Sequence, residues 1–242
     1  MSSLYNKQRK PFIAAIIPSY NEERNIAGVL ETLHASDILH EIIIVDDGSD
    51  DKTVEIARKF AATDRRMQVI RHERNKGKGQ AIFTGWAATT APYLLLLDAD
   101  LHALTPDNIL ALMTPVLDHH ADMTLGLFWG GHFNTDFSSW GMPFLTGQRG
   151  LRADILKHVS REAAAGYGFE IALTIAASQQ GYHKRIVPLK GVWHPPSEFH
   201  RGGLNGIIWR FRMYGQIIRG LVIATRQRHP KVNTFFSTIS KL

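Results

Sequence analysis

Two aspartates, Asp98 and Asp100, stand one residue apart directly after the run Tyr93-Leu-Leu-Leu-Leu97. A buried strand does not tolerate paired carboxylates unless a cation, a proton or hydrogen-bond donors compensate them. Hard oxygen donors at the carboxyl end of a strand suit Mg²⁺ or Mn²⁺ shared with substrate phosphates. In an open α/β sheet, that end is also where ligands bind. Taken alone, the triplet fits a turn or a helix cap equally well. Three other polar groups decide for chemistry: Ser19-Tyr-Asn-Glu-Glu23, Asp46-Asp-Gly-Ser-Asp-Asp51 and Asn75-Lys-Gly-Lys-Gly79. Asp46 and Asp47 can accept hydrogen bonds from a base imide or a ribose hydroxyl, one of them serving instead as a cap for the helix that follows. The 75–79 loop is basic, glycine-rich and set at a helix start, as a phosphate cradle is. Its spacing is not that of a Walker loop.

These residues need a scaffold that brings them to one edge. Phe12 to Pro18 is apolar throughout and reads as a central strand; a helix follows to about Leu33, with Ile26, Val29, Leu30 and Leu33 at helical spacing. Glu41–Val45 is a second strand and Thr53–Ala62 a second helix; Gln68–Ile70 is a third strand, followed by a helix over Ala81–Thr89 and the Leu94–Leu97 strand. Four strand–helix alternations with short links imply a parallel sheet with right-handed crossovers. Further on, Ala153–Val159 reads as a short helix, Gly166 to about Gly181 as another, and Ile186-Val-Pro188 as an edge strand, where proline is tolerated.

The chain has 242 residues, 44% of them apolar, enough for a sizeable core. It contains no cysteine, which excludes disulfides and thiolate metal sites. The first dozen residues lack a signal-peptide apolar region, and no apolar stretch is long enough to span a bilayer. The expectation is a soluble or peripheral protein. A net charge of +6 raises nucleic acid as a partner, but the basic residues are scattered and no nucleic-acid-binding motif accompanies them. Phosphorylated substrates or an anionic membrane surface explain the charge instead.

Ile17-Pro-Ser-Tyr-Asn-Glu22, Val45-Asp-Asp-Gly-Ser49, Asn75-Lys-Gly-Lys-Gly79 and Asp98-Ala-Asp100 stand in the order and spacing of family 2 glycosyltransferases. The chain resembles the dolichyl-phosphate-mannose-synthase-like branch, well over residues 12–110 and more loosely over 145–190. The resemblance implies a GT-A fold, Rossmann-like with a mostly parallel sheet and helices on both faces. It also implies a nucleotide-diphosphate sugar donor (UDP- or GDP-linked), a Mg²⁺ or Mn²⁺ cofactor and inversion at the anomeric carbon. Pro18, Tyr20, Asn21 and Glu22 would line the nucleoside, and Asp46 and Asp47 would contact base and ribose. Lys76, Gly77 and Lys78 would face the diphosphate, Asp98 the ribose or metal, and Asp100 the metal. His102 stands where that branch often has a metal-reaching glutamine; the alternative is a solvent-facing loop histidine. His194 would complete the metal or diphosphate site.

Two residues bear on the acceptor. Arg149, in Thr146-Gly-Gln-Arg-Gly-Leu-Arg152, resembles the family's acceptor-side element and would bind a phosphate through its planar fork. Glu170 precedes a helix where the family places acidic residues and would serve as general base for a hydroxyl acceptor; Asp136 and Asp154 are weaker candidates. The arginine this branch carries after the Met123–Gly131 strand is missing, and the aromatic segment 132–142 reads as a loop able to cover an acceptor.

Residues 1–200 thus form the expected catalytic domain, and 201–242 a basic amphipathic C-terminal helix and tail. Leu204, Ile207, Ile208, Phe211, Ile218 and Val222 make one stripe, interleaved with Trp209, Arg210, Arg212 and Arg219. That helix suits the cytoplasmic face of a membrane, the domain itself or a homodimer partner. The expected activity is metal-dependent transfer of a sugar to a lipid-linked polyprenyl phosphate. The alternative is a glycolipid or small soluble hydroxyl acceptor with Glu170 as base. Rivals from other classes are a nucleotidyltransferase and a non-catalytic nucleotide-sugar-binding scaffold.

Overall fold

The computed structural model describes residues 11–130, 143–164 and 168–195. Its strands are β1 (Ile13–Ser19), β2 (Glu41–Asp46), β3 (Met67–Arg71), β4 (Tyr93–Leu96), β5 (Met123–Trp129), β6 (Arg149–Arg152) and β7 (Lys184–Lys190). The helices are α1 (Ile26–His34), α2 (Thr53–Thr63), α3 (Lys78–Ala87), α4 (Pro106–Leu117) and α5 (Phe169–Gln179), with 3₁₀ turns at Pro143–Leu145 and Ala153–His158.

The strands form one sheet in the order β3-β2-β1-β4-β6-β5-β7. Neighbours pair in parallel except β6, which runs antiparallel to both β4 and β5. A single reversed strand between two others leaves the remaining six pointing the same way. The ends of β1, β2, β3, β4, β5 and β7 therefore share one edge with the start of β6. Continuous apolar strands belong in such a sheet because helices cover both faces. Along β1 the two-residue period divides the side chains: Ile13, Ala15 and Ile17 join Leu30, Leu33 and Leu112 on one face, while Ala14 and Ile16 join Phe83, Phe169 and Leu173 on the other.

α1 keeps the expected apolar stripe, with Ile26, Val29, Leu30 and Leu33 all buried. α4 opens with a capping box between Thr105 and Asn108, and Pro106 occupies its first turn, where no intrahelical N–H is needed. The edge assignment of β7 holds, with Pro188 inside it.

Two elements differ from the sequence expectation. β6 lies in the acceptor-side element 146–152, for which the sequence gives no strand signal. It pairs because Gly150 admits α4 closely: a Cβ there would lie 2.6 Å from the Leu112 carbonyl. α3 begins at Lys78 rather than Ala81, after Gly77 turns the chain with φ +92°. The short helix expected from Ala153 is present over Ala153–His158, wound as 3₁₀. The 132–142 segment, Asp136 and the amphipathic stretch 204–225 lie outside the described residues. Among the described residues no helix is long and apolar enough to cross a membrane.

Candidate active site

The shared sheet edge collects the polar groups the sequence singled out. Asp98 and Asp100 follow β4 immediately, and Asp98 is held from two sides. Lys78, in the first turn of α3, places its Nζ 2.6 Å from Asp98 Oδ1 and 2.6 Å from Glu170 Oε1. Gln148, just before β6, donates from Nε2 to Asp98 Oδ2 at 2.9 Å. Gly147 lies flat against the same carboxylate; a Cβ there would sit 2.5 Å from Oδ2. Lys78 of α3 and Gly147 and Gln148 beside β6 thus converge on Asp98, and Lys78 links it to Glu170 on α5. Burial alone would raise the Asp98 carboxyl, but the Lys78 ammonium and the Gln148 bond hold it below its ordinary value. Burial alone would likewise lower Lys78, and the two carboxylates keep it raised.

Asp100 differs. Burial raises its carboxyl, and the nearby Asp98 charge raises it further. Glu22 shares this surplus of negative charge: burial, then Asp100 and Asp98, push it up to about 7 against the hydrogen bond from Asn25 at 2.7 Å. His194 is near enough to act on both Asp98 and Asp100 electrostatically. Its Nδ1 donates to the Pro195 carbonyl at 3.0 Å, so Nε2 is the ring nitrogen left to meet a ligand. A desolvated carboxylate beside a second one and a histidine of fixed tautomer is a donor set that a hard-to-borderline divalent cation fits. Asp100 and His194 could hold such an ion with Asp98 behind them. Among the described residues no three His, Asp or Glu side chains already converge as a closed cage.

His102, expected among the ligands, has one ring nitrogen engaged within the protein. Its Nε2 lies 3.2 Å from Asn25 Oδ1, an acceptor, so that nitrogen carries hydrogen. Its ring stacks on Trp193 at 4.4 Å, and its backbone forms a two-bond bridge with Trp193. This bridge ties residues 193–195 to the loop after β4, so His102 helps to place His194.

The nucleoside side contains a second correction. Asp47 is 3% exposed and both its oxygens are used: Oδ1 accepts from Lys76 N at 2.9 Å and His72 Nδ1 at 2.7 Å, and Oδ2 from Gly77 N at 2.7 Å. The expected ribose or base contact is replaced by a bracket around the loop. By the same bonds the Lys76 and Gly77 amides are spent on Asp47, so they do not cradle phosphate. Lys78 brings its ammonium to Asp98 and Glu170. Asp46 is fully buried; its Oδ2 meets Ser49 N at 3.2 Å and Arg71 Nε at 3.3 Å. Among the described residues its Oδ1 has no hydrogen-bond partner.

The 19–23 loop is laced to the 49–53 loop. Asn21 N donates to Ser49 Oγ, Asp50 N to Asn21 Oδ1, and Glu22 N to Thr53 Oγ1 at 2.9, 2.9 and 2.7 Å. Asn21 adopts φ +55°, and its side chain serves this lacing rather than an open nucleoside pocket. Pro18 is half-buried beside it, and Tyr20 is exposed at the mouth.

Arg149 is the largest departure. It is 1% exposed, and all five of its N–H donors are used: Nε to Thr146 O, Nη1 to Thr174 Oγ1 and Met123 Sδ, Nη2 to Phe144 O and Glu170 O. Burial lowers its pKa to about 10. A fork filled by the fold has no donor left for a phosphate, so Arg149 fixes the start of α5, and with it Glu170. Glu170 itself is 6% exposed beside Lys78. Asp154 lies elsewhere, paired with Arg152 at 2.6 Å. Gln148, Gly147 and His72 went unnoticed in the sequence; only the family-like spacing around Arg149 hinted at the first two.

A parallel sheet carrying acidic and basic groups at its strand ends, with an Asp-x-Asp pair at the centre, defines a GT-A glycosyltransferase domain. Solved structures agree on the fold. Glucosyl-3-phosphoglycerate synthase from Mycobacterium tuberculosis, in complex with Mn²⁺, UDP and glucosyl-3-phosphoglycerate, superposes with a TM-score of 0.70 at 22% identity, covering 88% of this chain and 79% of that one. The family model described as glycosyl transferase family 2 matches residues 14–183, and the chain belongs to that family. An uncharacterized protein of Methanocaldococcus jannaschii, MJ1222, is 28% identical over 241 residues, covering 90% of this chain and 95% of its own length. MJ0544 of the same organism is 35% identical over 118 residues, 47% of this chain and 50% of that protein. The dolichyl-phosphate beta-glucosyltransferase of Mus musculus is 31% identical over 106 residues, 39% of this chain and 33% of that enzyme. The chain thus spans half or less of the length of two of these relatives.

Proposed function

We propose that this protein transfers a sugar from a nucleoside-diphosphate sugar to a hydroxyl acceptor, with inversion and with the help of Mg²⁺ or Mn²⁺. The observation that carries the choice of acceptor is the Glu170 carboxylate, held 2.6 Å from the Lys78 ammonium that also touches Asp98. An alcohol is a poor nucleophile until a base takes its proton, whereas a phosphate oxygen is already anionic. A carboxylate fixed at the reacting end favours the first kind of acceptor.

Asp100 and His194 would hold the ion, and phosphate oxygens of the donor would complete its shell. When bound, the ion neutralises charge on the departing diphosphate. The chain's own residues do the rest. Lys78 adds positive charge at the same place, and a donor phosphate competing for its ammonium releases Glu170 to accept the acceptor proton. Gln148 and Gly147 keep Asp98 from rotating. Asp46 Oδ1, buried without a partner among the described residues, suits the imide N–H of uracil, thymine or guanine; cytosine offers no such N–H. The mycobacterial synthase of the same fold, solved in complex with Mn²⁺ and UDP, supports this reading by analogy.

A polyprenyl-phosphate acceptor is the second reading. It is favoured by relatives such as the mouse dolichyl-phosphate enzyme and the undecaprenyl-phosphate 4-deoxy-4-formamido-L-arabinose transferase of Edwardsiella ictaluri. It also fits the basic amphipathic stretch at 204–225 and attachment to a cytoplasmic membrane face.

Thermal shifts with UDP, GDP, dTDP and CDP plus Mn²⁺, on wild type and Asp100→Asn, test the site. A metal-dependent shift with a uracil, thymine or guanine nucleotide, lost in the variant, is expected; a well-folded protein that responds to none overturns the transferase assignment. Glu170→Gln separates the acceptors. With a hydroxyl acceptor, turnover falls by about 10²–10⁴ while donor binding persists. Turnover that survives in this variant assigns the acceptor to the phosphate class.

A further inference from the structure

His72 takes no part in the proposed reaction, yet its ring is 5% exposed and hydrogen-bonded at both nitrogens. Nδ1 lies 2.7 Å from Asp47 Oδ1, and Nε2 lies 2.9 Å from Thr84 Oγ1 on α3. An ionised Asp47 only accepts, so Nδ1 carries the proton and donates. Asp47, at the end of β2, in turn receives the amides of Lys76 and Gly77. The same junction is packed tightly elsewhere. Gly48, at φ +79°, lies where a Cβ would meet the Arg74 and Asn75 backbone at 2.8–2.9 Å, and His72 N donates to Asp46 O at 2.8 Å. One imidazole therefore joins the end of β2, the β3–α3 loop and the body of α3. Lys78 starts that helix immediately after Gly77, and its ammonium reaches both Asp98 and Glu170.

We infer that His72 is a positioning residue for the donor diphosphate: with Asp47 and Thr84 it clamps the 74–77 loop and sets where α3 delivers Lys78. This rests on the transferase reading for the identity of the ligand, but the clamp itself is a property of the free protein. The reasoning is geometric. A glycine-containing loop with its own amides unpinned samples many conformations, and ordering it at the moment of binding weakens affinity. Bonds from a rigid strand end remove that cost beforehand. The helix anchor at Thr84 fixes the second coordinate, the rotation and height of α3 against β2.

The test has two readouts on the full chain. The first is amide hydrogen exchange at Lys76 and Gly77, which needs no ligand. His72→Ala is expected to accelerate both about a hundredfold, with amides in β1 and β4 unchanged. His72→Asn, whose side-chain amide can stand in for Nδ1–H, is expected to restore protection at both. The second is the dissociation constant of Mn²⁺-UDP and Mn²⁺-GDP. His72→Ala weakens whichever nucleotide binds about tenfold, His72→Asn recovers most of it, and Thr84→Val weakens it severalfold. If His72→Ala does not fold, the Thr84→Val and His72→Asn results decide in its place. Unchanged exchange in His72→Ala overturns the clamp. Faster exchange with wild-type nucleotide affinity overturns its role in positioning, as does wild-type affinity in Thr84→Val. A wild type that binds neither nucleotide sinks the transferase reading instead, while the exchange result still decides the clamp.

Discussion

At the scale of single residues, the chemistry of a side chain was easier to read than its direction. Asp98, Asp100, Lys78 and Glu170 were expected at one site, and Lys78 joins Asp98 to Glu170 there. Asp47 and Arg149 have the right chemistry too, but the fold consumes them: every oxygen of Asp47 and every N–H of Arg149 meets a neighbour within the protein. Nothing in a linear sequence distinguishes a carboxylate that accepts a ligand from one that accepts two backbone amides thirty residues away. These placements have opposite consequences. Arg149→Met removes a buried charge together with its five donors and takes the guanidinium bonds from the carbonyls of Thr146 and Phe144. Glu170 O keeps the Thr174 hydroxyl as donor. The expected cost therefore comes from the Thr146 and Phe144 contacts and the lost packing, about 2–3 kcal/mol in chemical denaturation, where a surface arginine would cost almost nothing. Gly147→Ala, by contrast, pushes a methyl into the Asp98 carboxylate at 2.5 Å. Titration with Mn²⁺-nucleotide is expected to show at least about tenfold weaker binding, with the melting temperature lowered far less than in Arg149→Met.

The elements were legible where periodicity was strong. Four apolar strands alternating with helices gave the parallel half of the sheet, and α1 packs through the very stripe its spacing predicts. β6 escaped because Arg-Gly-Leu-Arg carries one apolar residue and a glycine, no strand signal at all. It exists because the edges of β4 and β5 leave backbone groups to be paired and Gly150 lets α4 come close. The start of α3 was misplaced for a similar reason: Gly77-Lys-Gly79 looks like loop, but Gly79 is required by contact, since a Cβ would sit 2.2 Å from the Ala164 carbonyl. Gly79→Ala should therefore fail to give the usual gain of about 1 kcal/mol for alanine over glycine in a helix. The expected result is a lower melting temperature and weaker nucleotide binding, because the first turn of α3 must move and Lys78 with it. A stabilised variant with unchanged affinity would show that the α3–164 contact does not position the site. Thr105→Ala offers a comparison on α4: loss of its capping box should cost about 1 kcal/mol and leave nucleotide affinity alone.

At the scale of the whole molecule, a chain with net charge +6 gathers its uncompensated negative charge at one sheet edge. Asp98 is neutralised by Lys78, but Asp100 and Glu22 are not, and burial makes each a weaker acid than usual. Such a cleft stores unfavourable electrostatic energy in the free protein that a cationic or metal-bearing ligand relieves. The consequence for stability has a definite sign. Glu22 ionises at about 7 in the folded state against an ordinary value of 4.5. Between those values the native protein holds a proton that the unfolded chain has released. Stability from this group therefore falls as pH rises from 4.5 to about 7, and above that the full penalty of a buried carboxylate is present. Glu22→Gln keeps an acceptor for Asn25 without the charge. Relative to wild type, this variant should become progressively more stable between pH 5 and pH 8, measured by urea unfolding of the ligand-free protein. Asp64 acts in the opposite direction and in a different window. The hydrogen bonds from Arg66, with His34 adding its own, lower its carboxyl, so the stability it confers is present above about 3.8 and lost in acid below that. Asp64→Asn should accordingly narrow its deficit only below pH 4, while the Glu22→Gln difference is already small there. If the Glu22→Gln difference were flat from pH 5 to pH 8, the cleft would not hold the excess charge that its geometry implies, and its preference for a divalent cation would need another source.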